Sequence, residues 1–313
     1  MGIGDVDGAR TRLVDRTARV YATYRAAISK QVPPPVVARR CVGSIYQYDD
    51  PASKMLVFET DAGQARLSDA VIVAGWAAGL PFACLTNDIN THTTADIHLH
   101  DYDINIDYLK ERGYSLAHFH TAPDCRSMCG AANGNYGRHK SLYSGHGDDL
   151  PSHLATRLGL ANQCVAWVES FPAHLAFEFP LSTFSLEQPK NHFWKSDAAQ
   201  SFAFKIGALK LPYSHNCERY GESYNKPGIF ASNLVTVPWN NFAIDALSVP
   251  TTIGAKCMDL GAAAAYPPKI AQDWASAIVD HHWLRINRPK EFIKFQARFE
   301  RLLADQMKDN KFA

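Results

Sequence analysis

Hydrophobic and polar positions change period several times along the chain, and each change predicts an element. Over residues 8–29, Leu13, Thr17, Val20, Tyr24 and Ile28 recur at spacings of three and four, which predicts an amphipathic helix. Arg12, Arg16 and Arg19 form a second stripe on it. Val-Pro-Pro-Pro at 32–35 ends this helix, because proline lacks the N–H and fixes φ. CVGSIYQYDDPASKMLVFET, from Cys41 to Thr60, has two β-prone runs around Asp-Asp-Pro-Ala-Ser and predicts a hairpin. Ser68 suits the N-cap of a helix through Leu80. Val71, Ile72, Val73, Trp76 and Leu80 make that helix apolar nearly all round, which places it in the core. Pro81 closes it, and Phe-Ala-Cys-Leu-Thr then reads as a short buried strand.

Further along, residues 95–101 alternate, with Ile97 and Leu99 on one face and Asp96, His98 and His100 on the other. Asp107 to Arg112 predicts a helical turn ended by Gly113, and Leu116 to Thr121 a strand. Gly130 to Gly147 holds five glycines with little periodicity and reads as a long loop. Helices are expected at 151–169 and 195–209, and irregular structure with short strands over 211–268. Pro267-Pro268 opens a helix through Trp283. Pro289 opens the last one, with Phe292, Phe295, Phe299, Leu302, Leu303 and Met307 on one side. The fold class this predicts is α+β (mixed), one main body with amphipathic helical extensions at both termini. The divisions are a basic helical arm at 1–35, a mixed α/β body at 36–288 and a C-terminal amphipathic helix at 289–313.

Composition adds a core and removes some classes. Of 313 residues, 46% are hydrophobic and 20% charged, so the chain can bury a core and is not disordered by composition. The net charge of +1 excludes a uniformly basic or acidic surface, but the charge is uneven. Residues 1–40 carry eight Lys/Arg against three acidic groups, and residues 285–313 eight against four, so the middle is acidic. Seven cysteines without regular spacing imply reduced thiols and an intracellular setting. Met-Gly-Ile-Gly-Asp-Val has no apolar leader, and the longest nearly apolar run, Ala70 to Ala83, is too short for a span; no membrane partner is expected.

Candidate chemistry concentrates in HFHTAPDCRSMC, His118 to Cys129. His-x-His on a strand aims both imidazoles to one face, and Cys-x3-Cys on a helical turn puts both sulfurs on one side. Zinc accepts such mixed ligands, and His118, His120, Cys125 and Cys129 would supply four, with His98 and His100 beside Asp96 as a second set. Asp-x-His-x-His followed by a helix and another strand resembles metal-dependent hydrolases of the amidohydrolase and PHP kind, and that resemblance implies a metal-dependent hydrolysis. The His-x-His-x-Asp-His order of metallo-β-lactamases is not met, since Asp101-Tyr102-Asp103 follows His100. The competing reading is two strands whose polar faces need only hydrogen bonds, with ordinary buried thiols and no cofactor. Gly-Tyr-Ser-Leu-Ala at 113–117 sits in the wrong order for a nucleophile elbow, and Gly-Asn-Tyr-Gly-Arg-His-Lys-Ser lacks the ending of a phosphate loop. Asp-His-His-Trp at 280–283 reads as an acid–histidine pair at a helix end.

No motif names a reaction, so a structural role ranks before an enzymatic one. The first expectation is a self-assembling protein that packages nucleic acid, a capsid or nucleoprotein-like subunit of an RNA virus. Its partners would be further copies of itself and RNA held through phosphates by Arg12, Arg16, Arg19, Arg39, Arg40, Arg138 and Lys140. A metal-dependent hydrolase built on residues 96–129, and a protein-interaction module using the long loop, are the alternatives.

Overall fold

The computed structural model describes residues 39–42, 45–48, 55–60, 65–87, 107, 110–111, 113–123, 152–189, 192–215, 226–236, 266 and 268–309. They form one mixed sheet flanked by helices. In chain order the elements are β1 (Arg39–Val42), β2 (Ile45–Tyr48), β3 (Met55–Thr60), α1 (Arg66–Ala77), β4 (Ala83–Asn87), β5 (Ser115–Thr121), α2 (Ser152–Glu178), β6 (Thr183–Pro189), a 3-10 turn (His192–Lys195), α3 (Asp197–Ile206), β7 (Leu209–His215), β8 (Lys226–Ser232), α4 (Pro268–Asn287) and α5 (Pro289–Asp309). The strand order is β1-β2-β4-β3-β5-β6-β8-β7. β4, β3, β5 and β6 are parallel neighbours, while β8 runs antiparallel to both β6 and β7.

Strand composition explains this order. Leu56 to Thr60 and Leu116 to Thr121 are buried without a break. A strand covered on both faces belongs at the centre of a parallel sheet, not in a half-exposed hairpin. The hairpin expected between Cys41 and Thr60 is therefore not formed. β3 lies between β4 and β5, and β2 pairs instead with β1 and β4. Successive side chains alternate between two cores. Val57, Cys84, Ala117, Leu211 and Phe230 face α1 and α4, where Trp274 and Ile278 are buried. Leu56, Phe58, Leu85, Phe119, Phe184 and Leu186 face α2 and α3, against Trp167, Phe171 and Phe202. Phe119 meets Phe58 and Phe171 edge-on with ring centroids 5.7 Å apart in both pairs.

The helices depart from expectation where tertiary contacts override local signals. α1 starts at Arg66, not after Ser68, and Ala65 before it takes the left-handed conformation (φ 54, ψ 32). Val73, expected in the core, is 48% exposed. α2 runs on past 169 to Glu178 and through Pro172, whose ring and missing N–H weaken a helix interior; Trp167, Phe171 and Leu175 at four-residue spacing supply the compensating burial. α3 has local signals at both ends. The Ser196 hydroxyl accepts from the Ala199 N–H, and Gly207 closes it in the left-handed conformation. The stretch read as irregular with short strands contains two seven-residue strands, β7 and β8.

α5 packs onto the body. Phe299 is buried, and Phe292, Phe295, Leu302 and Leu303 lie against the α1/α4 core, whereas Met307 of the same expected stripe is 51% exposed. The Gln306 side chain also treats β7 as a neighbouring strand would. Its carbonyl accepts from the Lys210 N–H (3.0 Å), and its amide donates to the Lys210 carbonyl (2.9 Å). Residues 1–35, including the expected basic arm, lie outside the described residues, as do 95–101 and the glycine-rich stretch 130–147. Among the described residues no helix is long and apolar enough to cross a membrane.

Phe299→Ala should cost about 3 kcal/mol, the usual loss for a buried phenylalanine. Urea unfolding measures it, and an unchanged midpoint would show that α5 does not belong to the cooperative unit.

Candidate functional site

The chain leaves β3 through α1 to β4 on one side, while β5 lies on the other side of β3. Open parallel sheets hold a crevice at the carboxyl ends of their strands where the connections diverge in this way. The rim at the carboxyl ends of β3 and β5 is built from the ends of four strands. Thr60 closes β3, and its hydroxyl donates to the His120 carbonyl (3.4 Å). Asn87 closes β4, and Thr121 to Pro123 follow from β5. The Gln188 amide on β6 donates to the Pro123 carbonyl, tying two rim segments together. The N-terminus of α1 opens onto the same rim behind Ala65. Its first residue, Arg66, donates to the Tyr266 carbonyl (2.6 Å) and so holds Tyr266 beside the crevice.

Under this rim a row of polar side chains crosses the sheet. Thr86, Glu59, His120, Ser185 and Ser232 are register partners on β4, β3, β5, β6 and β8, and all are buried. Glu59 is anchored through one carboxylate oxygen, which accepts from the N–H (2.9 Å) and hydroxyl (2.5 Å) of Ser68 in the first turn of α1. Both histidines of β5 are hydrogen-bonded through both ring nitrogens. His118 Nδ1 lies 2.8 Å from the Thr183 hydroxyl and Nε2 2.7 Å from that of Ser185. His120 Nδ1 lies 2.7 Å from the same Ser185 hydroxyl and Nε2 2.8 Å from that of Tyr266. Farther along β6, the Tyr213 hydroxyl donates to the Glu187 carboxylate.

Burial sets the electrostatics. His118 is pushed well below its ordinary value, first by burial and then by the neighbouring imidazoles of His120, His282 and His281. His281 shifts the same way, and burial brings His282 down to about 3, with the Arg285 guanidinium adding to the effect. These last two were expected at a helix end. They sit inside α4, which continues to Asn287, and both are buried. His281 Nδ1 accepts from the Val235 N–H (3.3 Å).

The sequence-derived residues separate clearly. Of the proposed metal set, the structure places His118 and His120 on one face of β5, but their ring nitrogens are committed to Thr183, Ser185 and Tyr266. A metal there would have to displace those hydroxyls. No group of three or more metal-binding side chains occurs among the described residues. His98, His100, Cys125 and Cys129 lie outside them. Of the phosphate set, Arg39 and Arg40 fall on the edge strand β1, and Arg12, Arg16, Arg19, Arg138 and Lys140 lie outside the described residues. Glu59, Ser185 and Tyr266 escaped sequence reading. The signal for Glu59 was available, since a glutamate inside the otherwise apolar run Met-Leu-Val-Phe-Glu-Thr needs a buried partner.

Acid should unfold this protein through these histidines. Their folded-state values lie below the ordinary 6.5, so below that pH the unfolded chain binds more protons. Stability is complete above about pH 6.5 and falls as the pH drops towards 3, by up to about 1.4 kcal/mol per unit for each histidine. Urea midpoints between pH 7 and 4.5 measure this, and a flat profile would contradict it.

No protein-family profile matches the chain, and no curated protein matches it in sequence.

Proposed function

We propose that the chain binds a ribose-bearing cofactor over the gap between β3 and β5, and that this cofactor is S-adenosylmethionine, used for methyl transfer. The divergence of the chain at β3 and β5 carries the binding part, because that divergence forms the crevice. The N-terminus of α1 presents a positive dipole end to the polar part of a ligand, with the Ser68 N–H of its first turn held by Glu59. An acidic side chain at the end of the second strand suits the ribose hydroxyls. Asp88 directly follows β4 in the sequence. Ala65, buried and left-handed at the turn into α1, supports the same location. Such a conformation costs an L-residue roughly 1–2 kcal/mol, and strain of this kind gathers at binding sites.

The choice of cofactor rests on strand order, a fold-level analogy. Dinucleotide-binding sheets continue in parallel on both sides of the crevice. Here β8 is reversed between β6 and β7, as in methyltransferases that use S-adenosylmethionine, while β2, antiparallel to β4, departs from both patterns. The nucleic-acid partner expected from the basic termini fits this proposal as the methyl acceptor, with Lys/Arg of residues 1–40 and 285–313 contacting phosphates.

Isothermal titration with S-adenosylmethionine, NAD and ATP tests the reading. Saturable binding of S-adenosylmethionine is expected, and Asp88→Asn should weaken it about tenfold or more, the value of one hydrogen bond to a charged group. Preference for NAD or ATP would overturn the methyl-transfer part, and no binding of any of the three would remove the crevice as a ribose site.

A further inference from the structure

The hydrogen bonds around His118 and His120 have only one consistent set of proton positions. The Thr183 hydroxyl donates its single proton to the Ala117 carbonyl (3.0 Å). Towards His118 it therefore accepts, so His118 carries its proton on Nδ1. With that nitrogen protonated in a neutral ring, Nε2 accepts from Ser185. Ser185 has then spent its proton and accepts from His120, which is also the Nδ1–H form. His120 Nε2 is left as an acceptor, and the Tyr266 hydroxyl donates to it. Every donor from Tyr266 to Thr183 points the same way, and the direction is set by a backbone carbonyl at the far end.

We propose that Tyr266 and His120 form the acid–base pair of the crevice, with Ser185, His118 and Thr183 as positioning residues that keep the acceptor nitrogen of His120 turned to the phenol. The role in the crevice rests on the function proposed above; the proton arrangement does not. In the step, an O–H or N–H group of a substrate gives its proton to Tyr266 Oη while the phenol proton passes to His120 Nε2. One X–H bond and one O–H bond break, one O–H and one N–H form, and His120 becomes imidazolium. Its surroundings accept that charge. Trp274 lies at 5.8 Å and Phe230 at 6.1 Å between ring centroids, and Glu59 occupies the adjoining position on β3. The substrate class is one whose reacting atom must lose a proton, and the logic is that of a hydrolytic triad, in which a third group fixes the tautomer of the working imidazole.

Nitrogen-15 NMR of the histidine rings tests this on the full chain without any ligand. Wild type should show the Nδ1–H form at both His118 and His120. Thr183→Val removes the terminal acceptor and should reverse the whole chain, so that His120, which Thr183 does not touch, becomes the Nε2–H form. Thr183→Ser should leave both as in wild type. Tyr266→Phe removes the donor to His120 Nε2 and should move that nitrogen's resonance towards the position of a nitrogen without a hydrogen bond, leaving His118 as in wild type. An Nε2–H form at either histidine in wild type, a His120 indifferent to Thr183→Val, or a His120 Nε2 resonance unmoved by Tyr266→Phe would each overturn the proposal. If Thr183→Val does not fold, the wild-type tautomers and the Tyr266→Phe resonance decide it alone. A chain that binds no S-adenosylmethionine but shows these tautomers would fail only the cofactor reading.

Discussion

A glutamate, two histidines and two serines lie side by side in the middle of a sheet that has helices on both faces. Burying them unpaired would cost several kcal/mol each, so the surrounding structure is arranged to pair them. Glu59 needs donors, and the first turn of α1 supplies two from Ser68, which fixes the start of that helix against β3. His118 and His120 need hydroxyls, and β6 supplies them from Thr183 and Ser185 in parallel register with β5. A slip of one residue that put Phe184 and Leu186 opposite the imidazoles would cost His118 both of its partners and His120 its bond to Ser185. The polar row thus specifies the register that the apolar side chains, being non-directional, leave less sharply defined.

The apolar layer above the row completes it. Trp274 of α4 stacks on Phe230 with centroids 3.7 Å apart and meets Tyr213 and Tyr266 edge-on. These rings exclude water from the imidazoles. Burial likewise holds His118, His281 and His282 below their ordinary values, with Phe82 against His282 and Phe292 against His281. Packing and proton arrangement are therefore one device, and the half-buried Tyr266 joins it to the rim.

Much of the fold was legible along the chain, because its signals are local. The strand at 116–121, the helices opened by Pro268 and Pro289, and the mixed class all follow from period, β-branched and aromatic content, and proline position. The hairpin failed for a physical reason. Pairing partners of a doubly buried strand are chosen by long-range burial, and the turn residues between β2 and β3 carry no information about β5. The site was half legible. His-x-His marked the correct strand, and metal ligation was the natural reading of two imidazoles on one face. Their ring nitrogens meet hydroxyls of Thr183 and Ser185 on another strand and of Tyr266 far along the chain. No spacing rule connects residues so distant in sequence.

The side-chain amide of Gln306 has a bearing on how this molecule keeps its own company. β7 closes one margin of the sheet, and an open margin is a template on which another chain can add a strand. By taking both backbone groups of Lys210, Gln306 acts as a counterfeit strand one residue long. A chain truncated before α5 would lose Phe299 from the core and also uncover this margin. Its failure would then be self-adhesion as well as loss of stability, so the last helix screens the chain from its own copies.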